Sequence, residues 1–243
     1  MAITFEKTGT PTADGITILL YGVPGCGKTR LIGELPNPVF IDVERGYKSI
    51  RKPGVDIIKP TSYRDLIQII AALNKGVMSP EGFRWTIEGK EFCNRIIVAD
   101  TLDAISTLIL DEVLKGKGIE KAGWDEWGIV INRSKEVTSS LRNLQLKGVH
   151  FIATAHEEME KNPDSNAIKG QPALLGKLSE KFSGMFDAVY RMTVKNGKRY
   201  LDGQPVGIWT GKDRYDVVKT SVDVTDPKAV LALWDQITAT HSI

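Results

Sequence analysis

Gly22-Val23-Pro24-Gly25-Cys26-Gly27-Lys28-Thr29 is the stretch whose reading decides the fold. It fits G-x-x-x-x-G-K-[ST], a glycine-rich loop whose successive backbone N–H groups converge on phosphate. Its flanks have the character such a loop needs. Ile16 to Tyr21 is an apolar, β-branched run that predicts a buried strand, and Thr29 to Leu35 opens a helix that stops at Pro36. Gly22, Val23, Pro24, Gly25, Cys26, Gly27, Lys28, Thr29 and Arg30 are therefore expected to line a nucleotide, with Cys26 at a variable position of the motif. Lys28 is expected to reach the β- and γ-phosphates, and the Thr29 hydroxyl to ligate Mg²⁺.

Working outward, 243 residues hold one large α/β domain, or one domain with small appendages. A net charge of +2 means that any nucleic-acid surface must be a local patch. Two cysteines and three histidines exclude a disulfide framework and a zinc cluster. The first residues have no apolar signal region and no run approaches transmembrane length, so a cytosolic protein without a membrane partner is expected.

Residues 1–15 predict an extended arm. Further strands are expected over 38–43, 55–58, 95–100, 149–155 and 188–194, and helices over 63–74, 102–114, 124–146, 178–184 and 227–240. Ser62 with Asp65 is a capping pair for the first of these helices, and Asp226 an N-cap for the last. Residues 76–94 read as a hairpin-like insertion, 115–118 as a Gly/Lys-rich break, and 157–177 as a long polar loop. Asn196-Gly197 and Asp202-Gly203 predict hairpin turns. Strands alternate with helices up to about residue 155, which implies a parallel sheet covered on both faces. The main domain is thus expected over 16–225, followed by a carboxy-terminal helix, 226–243.

Three positions carry the expected chemistry beyond the loop. Asp100 ends an apolar strand, where it holds Mg²⁺ or else caps the helix that follows. Glu44 lies beyond the second strand, either facing the γ-phosphate and polarising water or paired on the surface with Arg45. His156 ends a third strand, with a structural hydrogen bond as its plainer role.

Phe40-Ile41-Asp42-Val43-Glu44-Arg45, Ile97-Val98-Ala99-Asp100-Thr101 and the segment from Ala173 to Met192 resemble, in order and character, the core of RecA-type recombinases over roughly residues 16–215. Within that superfamily the chain is most similar to the compact, phage-encoded ATPases of the Sak single-strand annealing group. The resemblance implies a RecA-like P-loop core, mostly parallel, with antiparallel hairpin strands at its carboxy-terminal edge. It implies ATP and Mg²⁺ as ligands and Glu44 as the activator of water. His156 stands where the family has a γ-phosphate-sensing glutamine, and Lys212 and Arg214 where basic fingers reach a neighbour's nucleotide. The implied partners are single-stranded DNA, further copies of the chain in a ring or filament, and a single-strand-binding protein, all in the cytoplasm of the host cell. Candidate DNA contacts are Lys115, Lys117 and Lys121, beside Trp124 and Trp127, and Lys161, Lys169 and Lys177. Solvated charge explains the lysines equally, and the tryptophans at i,i+3 read also as core. Three rival readings are weaker. A small-molecule kinase needs a lid with arginines, which 157–177 lacks, and an AAA+ motor needs more than one helix after the core. In the third, nucleotide only stabilises an oligomeric scaffold.

Overall fold

The computed structural model describes residues 14–161, 166–174 and 178–241. β1 (Thr17–Tyr21) leads through the glycine loop into α1 (Lys28–Gly33), followed by β2 (Pro38–Asp42), β3 (Asp56–Ile58) and α2 (Tyr63–Lys75). Three short strands, β4 (Val77–Ser79), β5 (Gly82–Ile87) and β6 (Lys90–Asn94), precede β7 (Ile96–Asp100), α3 (Leu102–Lys117), α4 (Trp124–Arg142) and β8 (His150–Ala155). The chain continues through β9 (Glu157–Lys161), β10 (Ile168–Pro172), α5 (Leu178–Met185), β11 (Ala188–Lys195) and β12 (Lys198–Asp202). It closes with β13 (Lys212–Asp213), β14 (Val222–Asp223) and α6 (Pro227–His241).

The central sheet runs β14-β12-β11-β1-β8-β7-β2-β3, with β13 also on β11. From β11 to β3 every pairing is parallel, and β12, β13 and β14 add antiparallel strands at one edge. This is the architecture expected of a RecA-like P-loop core. β8 separates β1 from β7, and β2 flanks β7 on the other side, so the glycine loop, Asp100, Glu44 and His156 all leave the same edge of the sheet.

Period-two alternation explains the two cores. Leu19, Tyr21, Ile97 and Ala99 face one side, against Leu66 and Ile69 of α2, Ile105 and Ile109 of α3 and Val130 of α4. Ile18, Leu20, Ile96 and Val98 face the other, against Ile32 of α1 and Val230, Leu233 and Trp234 of α6. Both faces are covered, which is why these strands read as continuous apolar runs rather than alternating ones. The carboxy-terminal helix is thus part of the core rather than a lid. In α2, the Ser62 hydroxyl accepts from Asp65 N (3.2 Å) and the Asp65 carboxylate from Ser62 N (3.0 Å), a capping box worth about 1 kcal/mol.

Several expectations are corrected. Residues 77–94 form a three-stranded antiparallel sheet, β4-β5-β6, rather than a single hairpin. Glu88 (φ 49°) and Gly89 (φ 78°) make the two-residue turn between β5 and β6, and Trp85 stacks on Phe92 at 4.5 Å. The Gly/Lys-rich break at 115–118 is mostly helical: α3 continues to Lys117 and stops at Gly118, whose φ of 65° lets Ile119 N return to Leu114 O (3.1 Å). The polar stretch after His156 is an antiparallel hairpin, β9–β10, with Gly170 paired to Trp209 from a distant loop. Asn196-Gly197 closes a hairpin as expected, but Asp202-Gly203 does not; a Cβ on Gly203 would lie 2.7 Å from Val218 Cβ, so close approach explains that glycine. Lys177 and residues 1–13 of the amino-terminal arm lie outside the described residues. Among the described residues no helix is long and apolar enough to cross a membrane.

Candidate nucleotide site

β1 ends at Tyr21, and the loop turns at Gly25 (φ 78°) and Gly27 (φ 107°), positions costly for residues with a Cβ. A Cβ on Gly25 would meet nothing within 4 Å, so its backbone angle rather than crowding calls for glycine there. Lys28 is buried, and its Nζ donates to Gly22 O (2.9 Å) and Val23 O (3.3 Å), holding the ammonium at the loop. The Thr29 hydroxyl donates to Asp100 Oδ2 (2.8 Å), and the Thr154 hydroxyl to the other oxygen of Asp100. Burial pushes the Asp100 carboxyl up from its ordinary range, and the nearby Asp42 and Glu44 add to the effect. The helix cap is Thr101, which accepts from Ala104 N (3.3 Å), so Asp100 is not spent on capping.

Two hard oxygen ligands 2.8 Å apart beside a phosphate-sized cradle suit Mg²⁺ with most of its shell from water and phosphate. A Cβ on Gly46 would lie 2.9 Å from Asp100 Oδ2 and 3.0 Å from Thr29 Oγ1, so the loop after β2 passes directly over this pair. Asp42 holds that loop: its buried carboxylate accepts from Gly46 N (3.1 Å) and Tyr47 N (2.9 Å). Glu44 therefore enters the cleft, and it pairs with His156 Nε2 (3.3 Å) rather than with Arg45. Lys28, Thr29, Glu44, Gly46, Asp100 and His156 line one cleft of 280 Å³. Two larger hollows, of 670 and 610 Å³, border the β4-β5-β6 sheet and contain none of these residues.

A family model described as an AAA domain, AAA_24, matches residues 14–215. The chain belongs to this family. No curated protein sequence matches it. Among 139 matching solved chains is the crystal structure of the RadB recombinase, at 14% identity over 80% of this chain and 81% of that one, with a TM-score of 0.43.

In this AAA_24 chain two of the expected groups lie apart from the cleft. β13 pairs with the first residues of β11, placing Lys212 and Arg214 at the opposite end of the sheet from the glycine loop. Lys212 Nζ donates to Phe186 O and Ser183 O at the end of α5, and partial burial and Arg214 lower its pKa. Arg214 pairs with Asp187 (3.0 Å). Of the lysines assigned to DNA, Lys117 is engaged by Glu126 (2.6 Å), while Lys115, Lys121 and Lys161 are exposed and Lys169 is half-buried on β10. Trp127 packs on the core, but Trp124 is 94% exposed.

Sequence reasoning missed Asp42, which folds the loop just after it, and Asp103, Arg191 and Arg199, each of which acts through a partner distant in the chain. Arg191 pairs in bidentate fashion with Glu157 (3.0 and 3.2 Å) and lies 3.5 Å over the Trp209 ring, fastening the β9–β10 hairpin to the strand beside β1. Arg199 Nε donates to Cys26 O (3.1 Å) and abuts Gly27, propping the loop from behind. Arg199→Ala is expected to weaken nucleotide affinity about tenfold, the scale of one lost charge-assisted hydrogen bond. Titration with a fluorescent ATP analogue checks this, and wild-type affinity would show that the loop holds its shape alone.

Proposed function

We propose that the chain hydrolyses ATP, binds single-stranded DNA and acts in homologous recombination as a compact RecA-like ATPase of the phage annealing kind. The observation that carries the reading is the convergence of Lys28, Thr29, Asp100, Glu44 and His156 on one cleft at the carboxyl edge of the sheet. Magnesium, when bound, neutralises charge on the β- and γ-phosphates. Thr29 and Asp100 would hold it, and Lys28 and the loop amides would bind the phosphate oxygens. Glu44 takes a proton from the attacking water as its oxygen bonds to the γ-phosphorus and the bond to the β–γ bridging oxygen breaks. His156 orients Glu44 and, through Ala173 N donating to His156 O (2.8 Å), ties the cleft to the β9–β10 hairpin.

Single-stranded DNA would be held by Lys115 and Lys121 on phosphates, by bases stacked on Trp124, and by Lys161 and Lys169 on the hairpin. In an assembly with nucleotide between subunits, Lys212 and Arg214 would serve a neighbour's site after giving up the bonds they make within their own chain.

Steady-state ATP hydrolysis with and without single-stranded DNA, with duplex as control, tests the reading. Stimulation by single strands is the expected outcome. Trp124→Ala is expected to lower single-strand affinity about tenfold, within the range of one lost stacking contact, read by fluorescence anisotropy. A turnover rate indifferent to DNA would favour the other reading, an oligomeric scaffold or partner-regulated ATPase, to which the intrachain bonds of Lys212 and Arg214 lend support.

A further inference from the structure

Asp103 lies in the first turn of α3, where an acidic residue is ordinarily explained by the helix dipole. Its carboxylate, however, is given over to another element. Oδ2 lies 2.7 Å from His156 Nδ1, and Oδ1 accepts from the His156 backbone amide (3.4 Å). Capping of α3 is done by Thr101, two residues earlier. Asp103 thus grips one residue, at the end of β8, by both its main chain and its ring. With Nδ1 committed to Asp103, Nε2 faces Glu44 Oε1 at 3.3 Å, and the ring donates to both carboxylates in its imidazolium form. Asp103, His156 and Glu44 form a continuous line from α3 to the cleft.

The line meets a need specific to Glu44. That residue follows β2 on a loop, its side chain is 42% exposed, and it has rotatable bonds to spare. Asp42 fixes the backbone of the loop at Gly46 and Tyr47 but does not touch the Glu44 carboxylate. Among the described residues, the group that meets this carboxylate is the His156 ring, and the group that fixes the ring is Asp103. A base that wanders by an ångström loses the alignment with water on which proton transfer depends.

We propose that Asp103 is a positioning residue for hydrolysis: it fixes the His156 ring, which in turn holds the Glu44 carboxylate in the cleft. This rests on the reading of Glu44 as the group that activates water. Asp103 is not among the residues that line the cleft, so its removal is expected to act on turnover and to leave ATP binding intact.

The test is steady-state kinetics of the full chain and a set of variants. Asp103→Ala is expected to lower kcat about tenfold, the scale for an outer group that orients a functional histidine, with KM for ATP unchanged. Asp103→Asn keeps an oxygen that accepts from Nδ1–H and is expected to recover most of the loss. Asp103→Ala combined with His156→Ala is expected to be no slower than His156→Ala alone, because both break the same line. A raised KM with unchanged kcat, no recovery by asparagine, or losses that multiply in the double variant would overturn the proposal. Should alanine prevent folding, Asp103→Ser retains helix-end chemistry but is too short to span to the ring, and must show the same kcat loss. Glu44→Gln separates the two levels. Residual wild-type turnover in that variant would sink the base reading and this proposal together; an inactive Glu44→Gln beside a fully active Asp103→Ala would sink this proposal alone.

Discussion

Glu44→Gln is expected to lower the turnover number by about 10²–10⁴-fold while ATP still binds with near wild-type affinity. Glutamine keeps the size and hydrogen-bonding reach of the side chain but cannot take a proton from water. The amide still reaches His156 Nε2, without the ionic part of the contact, and the β9–β10 hairpin should stay in place because it is tied to His156 through the backbone. Binding is set elsewhere, by the glycine loop and by Lys28 and Thr29, none of which depends on Glu44. Single-turnover hydrolysis alongside equilibrium titration of ATP separates these effects. Hydrolysis at the wild-type rate would mean that water is activated by another group, and the assignment of the cleft would have to be rebuilt.

Lys28→Ala should fail earlier, at binding. Its ammonium is buried and already held between two loop carbonyls, so phosphate oxygens would meet an oriented charge with little reorganisation left to perform. Loss of a buried, hydrogen-bonded charge opposite an anion costs about 2–5 kcal/mol, which predicts an ATP affinity at least 30-fold weaker and no measurable turnover at ordinary ATP concentrations. The same variant also frees Gly22 O and Val23 O and loosens the loop. Lys28→Met, which keeps the stem and its packing, isolates the charge. If the methionine variant binds ATP as wild type does, the lysine is a prop for the loop and not a phosphate ligand.

The fold was legible wherever chemistry imposes a fixed local spacing. The glycine loop, the flanking strand and helix, the Ser62–Asp65 cap and the Asn196-Gly197 turn each announce themselves within a few residues. The β9–β10 hairpin did not, because Glu157-Glu158-Met159-Glu160-Lys161 has no apolar alternation. Its supports are Arg191 and Trp209, a bidentate carboxylate pair and a ring packed against Gly170, and these arrive more than thirty residues later. The helical extension through Lys117 was hidden by two glycines that a locally scored pattern treats as a break. In the cleft, residues expected to touch phosphate, metal or water came together. Those that only orient or prop them escape such reading: Asp103 and Arg199 are defined by groups that folding alone brings near, and Asp42 binds amides four and five residues on through a loop that has no fixed motif.

The exposure of Trp124 has a practical consequence. The chain has five tryptophans, and the other four are buried or half-buried: Trp85 and Trp234 in the two cores, Trp127 packed on the first of them, and Trp209 beneath the Arg191 guanidinium. An aqueous quencher such as iodide will therefore act first on one indole, at the tip of α4. The unlabelled protein carries its own optical reporter at the place where nucleic acid is proposed to bind, and loss of the readily quenched fraction of its emission would follow occupancy without any dye.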